Sequence, residues 1–82
     1  MEIQMKTNTE TIEITTDFIR LDSLMKFAGI TPTGGEAKTL ITEGLVQVNG
    51  EPCLMRGKKL HPGDEVSYRG RKLRLVQSAA EN

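Results

Sequence analysis

Residues 33–50, TGGEAKTLITEGLVQVNG, restrict the chain more than any other stretch, because they write a helix with both ends marked and then a strand ending in a tight turn. Thr33 and Glu36 have the spacing of a capping box, in which the Thr33 hydroxyl takes the Glu36 amide and the Glu36 carboxylate reaches back to the Thr33 amide. Ala37, Leu40 and Ile41 supply the buried face, and Gly44 can close the helix in a left-handed conformation. Val46 and Val48 alternate with Gln47 before Asn49-Gly50, a pair suited to positive φ at both turn positions, so the strand pairs back on itself.

The flanking segments extend this alternation of helix and strand. Leu21, Leu24, Met25 and Ala28 recur at i, i+3, i+4 and i+7, with Asp22 in the first turn and Gly29 placed to stop a helix over 21–28. Pro32 cannot continue it, so the second helix starts afresh. Upstream, residues 11–16 alternate around Ile12 and Ile14 and read as a short strand, with Phe18 and Ile19 continuing into the core. Downstream, Pro52 suits a sheet edge, and His61-Pro62-Gly63-Asp64 reads as a turn leading into a strand with Val66 and Tyr68. Arg69-Gly70-Arg71 makes a tip, after which Leu73 and Leu75 oppose Lys72 and Arg74, giving a basic hairpin. Residues 1–10 and 77–82 lack pattern and are expected to be flexible tails around one domain over 11–76.

Eighty-two residues hold one domain, which buries only about 60% of its unfolded surface. With only Phe18, Phe27 and Tyr68 as aromatics, the core must be mostly aliphatic, and a reader that stacks successive bases on several rings is disfavoured. One cysteine, Cys53, and one histidine, His61, form neither a disulfide nor a structural zinc site, so no metal or cofactor is expected. No run matches a membrane span or a signal peptide, which makes a soluble, cytoplasmic protein the expectation. Nor is there a nucleophile with its base or a carboxylate pair: His61 precedes a proline in a turn, and Asp64 and Glu65 point to opposite faces of a strand. The chain is not expected to be an enzyme.

Net charge is zero, but its distribution is uneven. Residues 56–74 carry seven basic side chains against Asp64 and Glu65, a net of +5, whereas residues 1–24 net −3 with five acids and two bases. A polyanion responds to the local field on one face, not to the total. At the start of the second helix, unpartnered amides and the macrodipole favour an anion. Gly34 and Gly35 leave those amides approachable, and Lys38, read as lying in the first turn, can neutralise the bound charge. The alternative is that the glycines only make the sharp turn and Lys38 is a solvated lysine. Arg56, Lys58 and Lys59 are equally open to a reading as a solubilising loop, and convergence of this run with the basic hairpin is the further expectation.

The pattern IRLDSLMKFAGITPTGGEAKTLITEGLVQVNGE, followed by RGKKLHPGDEV, resembles the small RNA-binding domain known as the S-four or alpha-L domain. The resemblance runs over residues 19–76, about 70% of the chain. Its most diagnostic parts are Arg20-Leu21-Asp22, Ala37 with Leu40-Ile41, Gly44 with Val46-x-Val48-Asn49-Gly50, and Gly63-Asp64. The GGEAK and RGKKL sequences look like the stand-alone bacterial branch of the YaaA and YbcJ type. The resemblance implies an α+β fold, two short helices packed on a small mostly antiparallel β-sheet, with the helix pair and nearby loops facing RNA. The same module is appended to pseudouridine synthases and a tyrosyl-tRNA synthetase, where it holds RNA for another domain.

The implied partner is structured RNA, in particular ribosomal RNA or an assembling ribosomal particle, bound by a monomer. The residues expected to contact it are Lys26, Thr33, Gly34, Gly35, Lys38, Arg56, Lys58, Lys59, Arg69, Arg71 and Lys72. The family usually has a Ser-Arg pair at the start of the second helix, and this chain has Thr33-Gly34, so the backbone amides of Gly34 and Gly35 with Lys38 are the expected replacement for the arginine's phosphate contact. The rival reading is a protein-interaction module that docks a partner through the hairpin edge or a surface around Met55.

Overall fold

A computed structural model describes residues 9–78. The order is strand β1 (Thr9–Ile14), strand β2 (Ile19–Arg20), helix α1 (Leu21–Phe27), helix α2 (Gly34–Thr42), and strands β3 (Gln47–Val48), β4 (Glu51–Pro52), β5 (Lys59–Leu60), β6 (Glu65–Tyr68) and β7 (Arg71–Gln77). Five strands form a sheet in the order β1-β7-β6-β3-β4, and β2 pairs with β5 in a separate two-stranded sheet. All pairings are antiparallel except β1 with β7, which lie parallel with Ile12 opposite Leu75. The fold is therefore α+β, with a helix pair and a mostly antiparallel sheet.

The buried set explains this arrangement. Leu21, Leu24 and Met25 of α1 and Ala37 and Ile41 of α2 are fully buried, and they share one cluster with Val66, Leu73 and Leu75 from the sheet and with Val46 just before β3. Period 3.6 on the helices and period 2 on the strands thus converge on one aliphatic core. The buried hydrophobic residues include no aromatic ring. Phe18 departs from expectation: it is 38% exposed, while Ile19 packs against the core. In a two-residue strand, the position before Ile19 faces the other way, toward solvent.

β1 takes in Thr9 and Glu10, and β7 takes in Gln77, all assigned to tails by the sequence reading. Pairing across 61 residues, Glu10 with Arg71, leaves no local signal at either end. The remainder of both expected tails, residues 1–8 and 79–82, lies outside the described residues.

The turns follow their chemistry. Asn49 (φ 52) and Gly50 (φ 88) form a two-residue link between β3 and β4, leaving Pro52 on the edge strand. The Asn49 side chain also reaches the next turn, donating to Asp64 Oδ1 at 3.1 Å and accepting from the Glu65 amide at 3.0 Å. The Asp64 amide closes the His61 turn on the His61 carbonyl at 2.9 Å.

Candidate nucleic-acid interface

Helix α2 begins as its sequence dictates on one side only. The Glu36 amide donates to Thr33 Oγ1 at 3.2 Å. The return arm of the capping box, from the Glu36 carboxylate to the Thr33 amide, is absent from the hydrogen bonds among the described residues. The amides of Gly34 and Gly35 have no acceptor among the described residues either, so they remain directed out of the helix with the positive end of its dipole.

Two lysines flank these amides. Lys26, in the last turn of α1, lays its stem alongside the start of α2: its Cδ is 3.9 Å from where a Cβ on Gly34 would stand. Lys38 is the fifth residue of α2, so it opens the second turn and is not in the first turn, where the sequence reading put it. Helical side chains lean toward the N-terminus, which keeps the Lys38 ammonium on the side of the free amides. The structure therefore brings Lys26, Thr33, Gly34, Gly35 and Lys38 to one place.

The other basic residues form a second group. The 56–58 loop caps α1 with its carbonyls, Arg56 accepting from the Asp22 amide at 3.1 Å and Lys58 from the Leu21 amide at 2.9 Å. Arg56 Nε lies 3.2 Å from Asp22 Oδ2, the same oxygen that receives Arg20 Nη2 at 3.0 Å. Asp22 is 6% exposed, so one buried carboxylate anchors two half-exposed guanidiniums. Lys59 extends from β5 with Nζ 4.9 Å from the centre of the Phe18 ring.

The hairpin is less free than expected. Arg71 makes a two-pronged bond to Glu10, both contacts at 2.8 Å, and gives a third donor to the Ala28 carbonyl at 3.2 Å. That hydrogen bond, with the Arg71 charge, holds the Glu10 carboxyl below its ordinary value and raises the Arg71 guanidinium above its own. Arg74 lies 3.3 Å from Glu65 and Lys72 4.0 Å. Only Arg69, at the tip, lacks an ion pair on this hairpin among the described residues; it sits 5.7 Å from the centre of the Tyr68 ring.

The two basic segments attach near opposite ends of α1. The 56–58 loop sits at the start of α1, and Arg71 touches Ala28 just past its end, about 9 Å away at 1.5 Å per residue. Five cations, Lys26, Lys38, Lys58, Lys59 and Arg69, have no ion pair with a described residue. Missed by sequence reasoning were the anchoring role of Asp22 and the position of Tyr68, which lines a groove with Thr33, Gly35 and Glu36 of α2. The Arg20-Leu21-Asp22 motif carried the first signal; the second had none, since Tyr68 and α2 are far apart in sequence.

The geometry matches a known scaffold. Residues 12–76 match the family model of the S4 domain. The chain belongs to the S4 domain family. This S4 domain is 42% identical over 59 residues to a protein named "Probable ribosome maturation protein RlbA" of Bacillus subtilis, covering 72% of this chain and 83% of the relative. It is 37% identical over 62 residues to the small ribosomal subunit protein uS4 of Sphingopyxis alaskensis, covering 76% of this chain but only 30% of that protein. The solution structure of YbcJ from E. coli, described as revealing an alpha-L motif involved in RNA binding, superposes with a TM-score of 0.62 at 26% identity, over 93% of this chain and 95% of YbcJ.

Proposed function

We propose that this S4 domain is a non-catalytic RNA-binding protein that seats a phosphate on the start of α2 and uses cations at both ends of α1 to hold the backbone on either side. The target class is structured ribosomal RNA or an assembling ribosomal particle, in line with the names of its relatives. The observation that carries the reading is Lys26 packed against Gly34 beside two amides with no acceptor. Gly34 stands where the family resemblance puts an arginine. A cation delivered from α1 takes over the charge, and the missing side chain opens the amides to the phosphate.

Five free cations at two stations fit contact with about four phosphates, for which the logarithm of affinity falls with that of salt at a slope near −3. Fluorescence anisotropy with a ribosomal RNA hairpin across a salt series measures that slope. The double variant Lys26→Glu with Lys38→Glu loses about two contacts, so its slope is shallower by about 1.5 while circular dichroism stays native. A salt-independent affinity, or an unchanged slope in the folded variant, would overturn the assignment.

Leu54 and Met55, 58% and 64% exposed, keep a second reading in play, a protein-docking surface. Capture of partners from lysate with and without ribonuclease separates the two, since RNA-bridged partners are lost on digestion.

A further inference from the structure

Beside the free amides of Gly34 and Gly35 runs a groove lined by Ile30, Thr33, Glu36, Leu40 and Tyr68. Tyr68 is half-buried, its ring packed against the core, while its hydroxyl makes no hydrogen bond to a described residue and is not among the buried polar atoms, which leaves it accessible at the groove. Arg69 lies over the ring and has no ion pair with a described residue. The Glu36 carboxylate, left without the capping bond back to Thr33, borders the same groove. An aromatic side chain and hydrogen-bonding groups thus line one groove with the N-cap Thr33 and with Gly35 of the phosphate seat, and Arg69 places a cation next to that ring.

We infer that this groove takes the unpaired base of the nucleotide whose phosphate sits on α2, so that the domain recognises a bulged or looped-out nucleotide within a structured RNA. The inference rests on the RNA-binding reading above. Base and phosphate of one nucleotide are covalently linked, so a phosphate fixed at Gly34 and Gly35 leaves its base within reach of Tyr68. A base held in a duplex cannot present its face to the ring, whereas an unpaired one stacks on tyrosine and on a guanidinium plane. The Tyr68 hydroxyl and the Glu36 carboxylate then meet the base edge or the ribose 2′-hydroxyl. Three aromatics are too few for reading a run of bases, but one suffices for a single extruded base.

The test uses three RNA hairpins that are fully paired, carry one bulged nucleotide, or carry an abasic site at the bulge, each titrated with the wild-type protein and Tyr68→Leu. Leucine keeps an apolar side chain against the core and removes the π face, and circular dichroism checks the fold. The expected result is wild-type binding of the bulged hairpin about tenfold tighter than of the abasic one, with that preference lost in Tyr68→Leu and the salt slope retained. Equal, salt-dependent binding of all three hairpins by the wild type, or an undiminished preference in folded Tyr68→Leu, overturns the base pocket alone. Absence of salt-dependent binding to any of the three overturns the RNA-binding reading beneath it.

Discussion

Replacing Asn49 by alanine tests whether one side chain couples the turns of this domain. Asn49 has φ of 52, donates to Asp64 Oδ1 at 3.1 Å, accepts from the Glu65 amide at 3.0 Å and donates its own amide to the Glu65 carbonyl at 2.8 Å. Alanine removes the two side-chain bonds, each contributing about 1 kcal/mol once solvent exposure of the carboxylate is allowed for. It also places a residue without asparagine's tolerance in the left-handed region, at a cost of about 1 kcal/mol. The expected loss is about 3 kcal/mol, which for a domain of this size lowers Tm by about 12–24 °C. Glycine at the same position keeps the backbone relaxed and loses only the side-chain bonds, so Asn49→Gly is expected to lose about 2 kcal/mol. Urea unfolding followed by circular dichroism, with m compared among the three proteins, gives the values. An alanine variant within 0.5 kcal/mol of wild type, or equal losses for alanine and glycine, would refute the reasoning on coupling or on backbone strain respectively.

Four further outcomes follow from named contacts. Gly34→Ala meets only an ordinary contact with Lys26 and needs no unusual backbone, so urea unfolding is expected to show up to about 0.5 kcal/mol of added stability while RNA affinity falls as the methyl crowds the amides; unchanged affinity would place the phosphate elsewhere. Asp22→Asn releases Arg20 and Arg56 from their shared oxygen, costing about 1–2 kcal/mol and steepening the salt dependence of RNA binding in anisotropy titrations. Burial would raise the Asp64 carboxyl, but the His61 amide and the Asn49 side chain outweigh it and hold it below its ordinary value of 3.8, as Arg71 holds Glu10 below 4.5. Both carboxyls give stability that is complete above their unfolded values and disappears as pH falls through the lower folded ones, so the urea midpoint is expected to drop below about pH 4, and to drop less in Asp64→Asn. Leu24→Ala, at a fully buried site between the helices and the sheet, is expected to lose about 2–5 kcal/mol in the same assay.

The neutral net charge conceals an uneven pairing of its acids and bases. Asp22 is buried under two arginines, and Glu10 and Glu65 pair at the surface with Arg71 and Arg74, while the lysines at the two ends of α1 make no ion pair with a described residue.

Local rules determined much of this protein by themselves. Thr33 and Gly44 mark α2, Asn49-Gly50 and His61-Pro62-Gly63-Asp64 set the turns, and alternating Val46, Val48, Val66, Leu73 and Leu75 identify the core faces, because each depends on neighbours within a few residues. Tertiary structure alone decided the parallel pairing of β1 with β7, which extends both strands into the expected tails, and the capture of Arg71 by Glu10 across 61 residues. It also set Lys26 against Gly34 and attached the two basic segments near opposite ends of α1. Which cations remain free depends on where the chain brings their counter-ions. That is a consequence of packing between distant segments, on which sequence periodicity is silent.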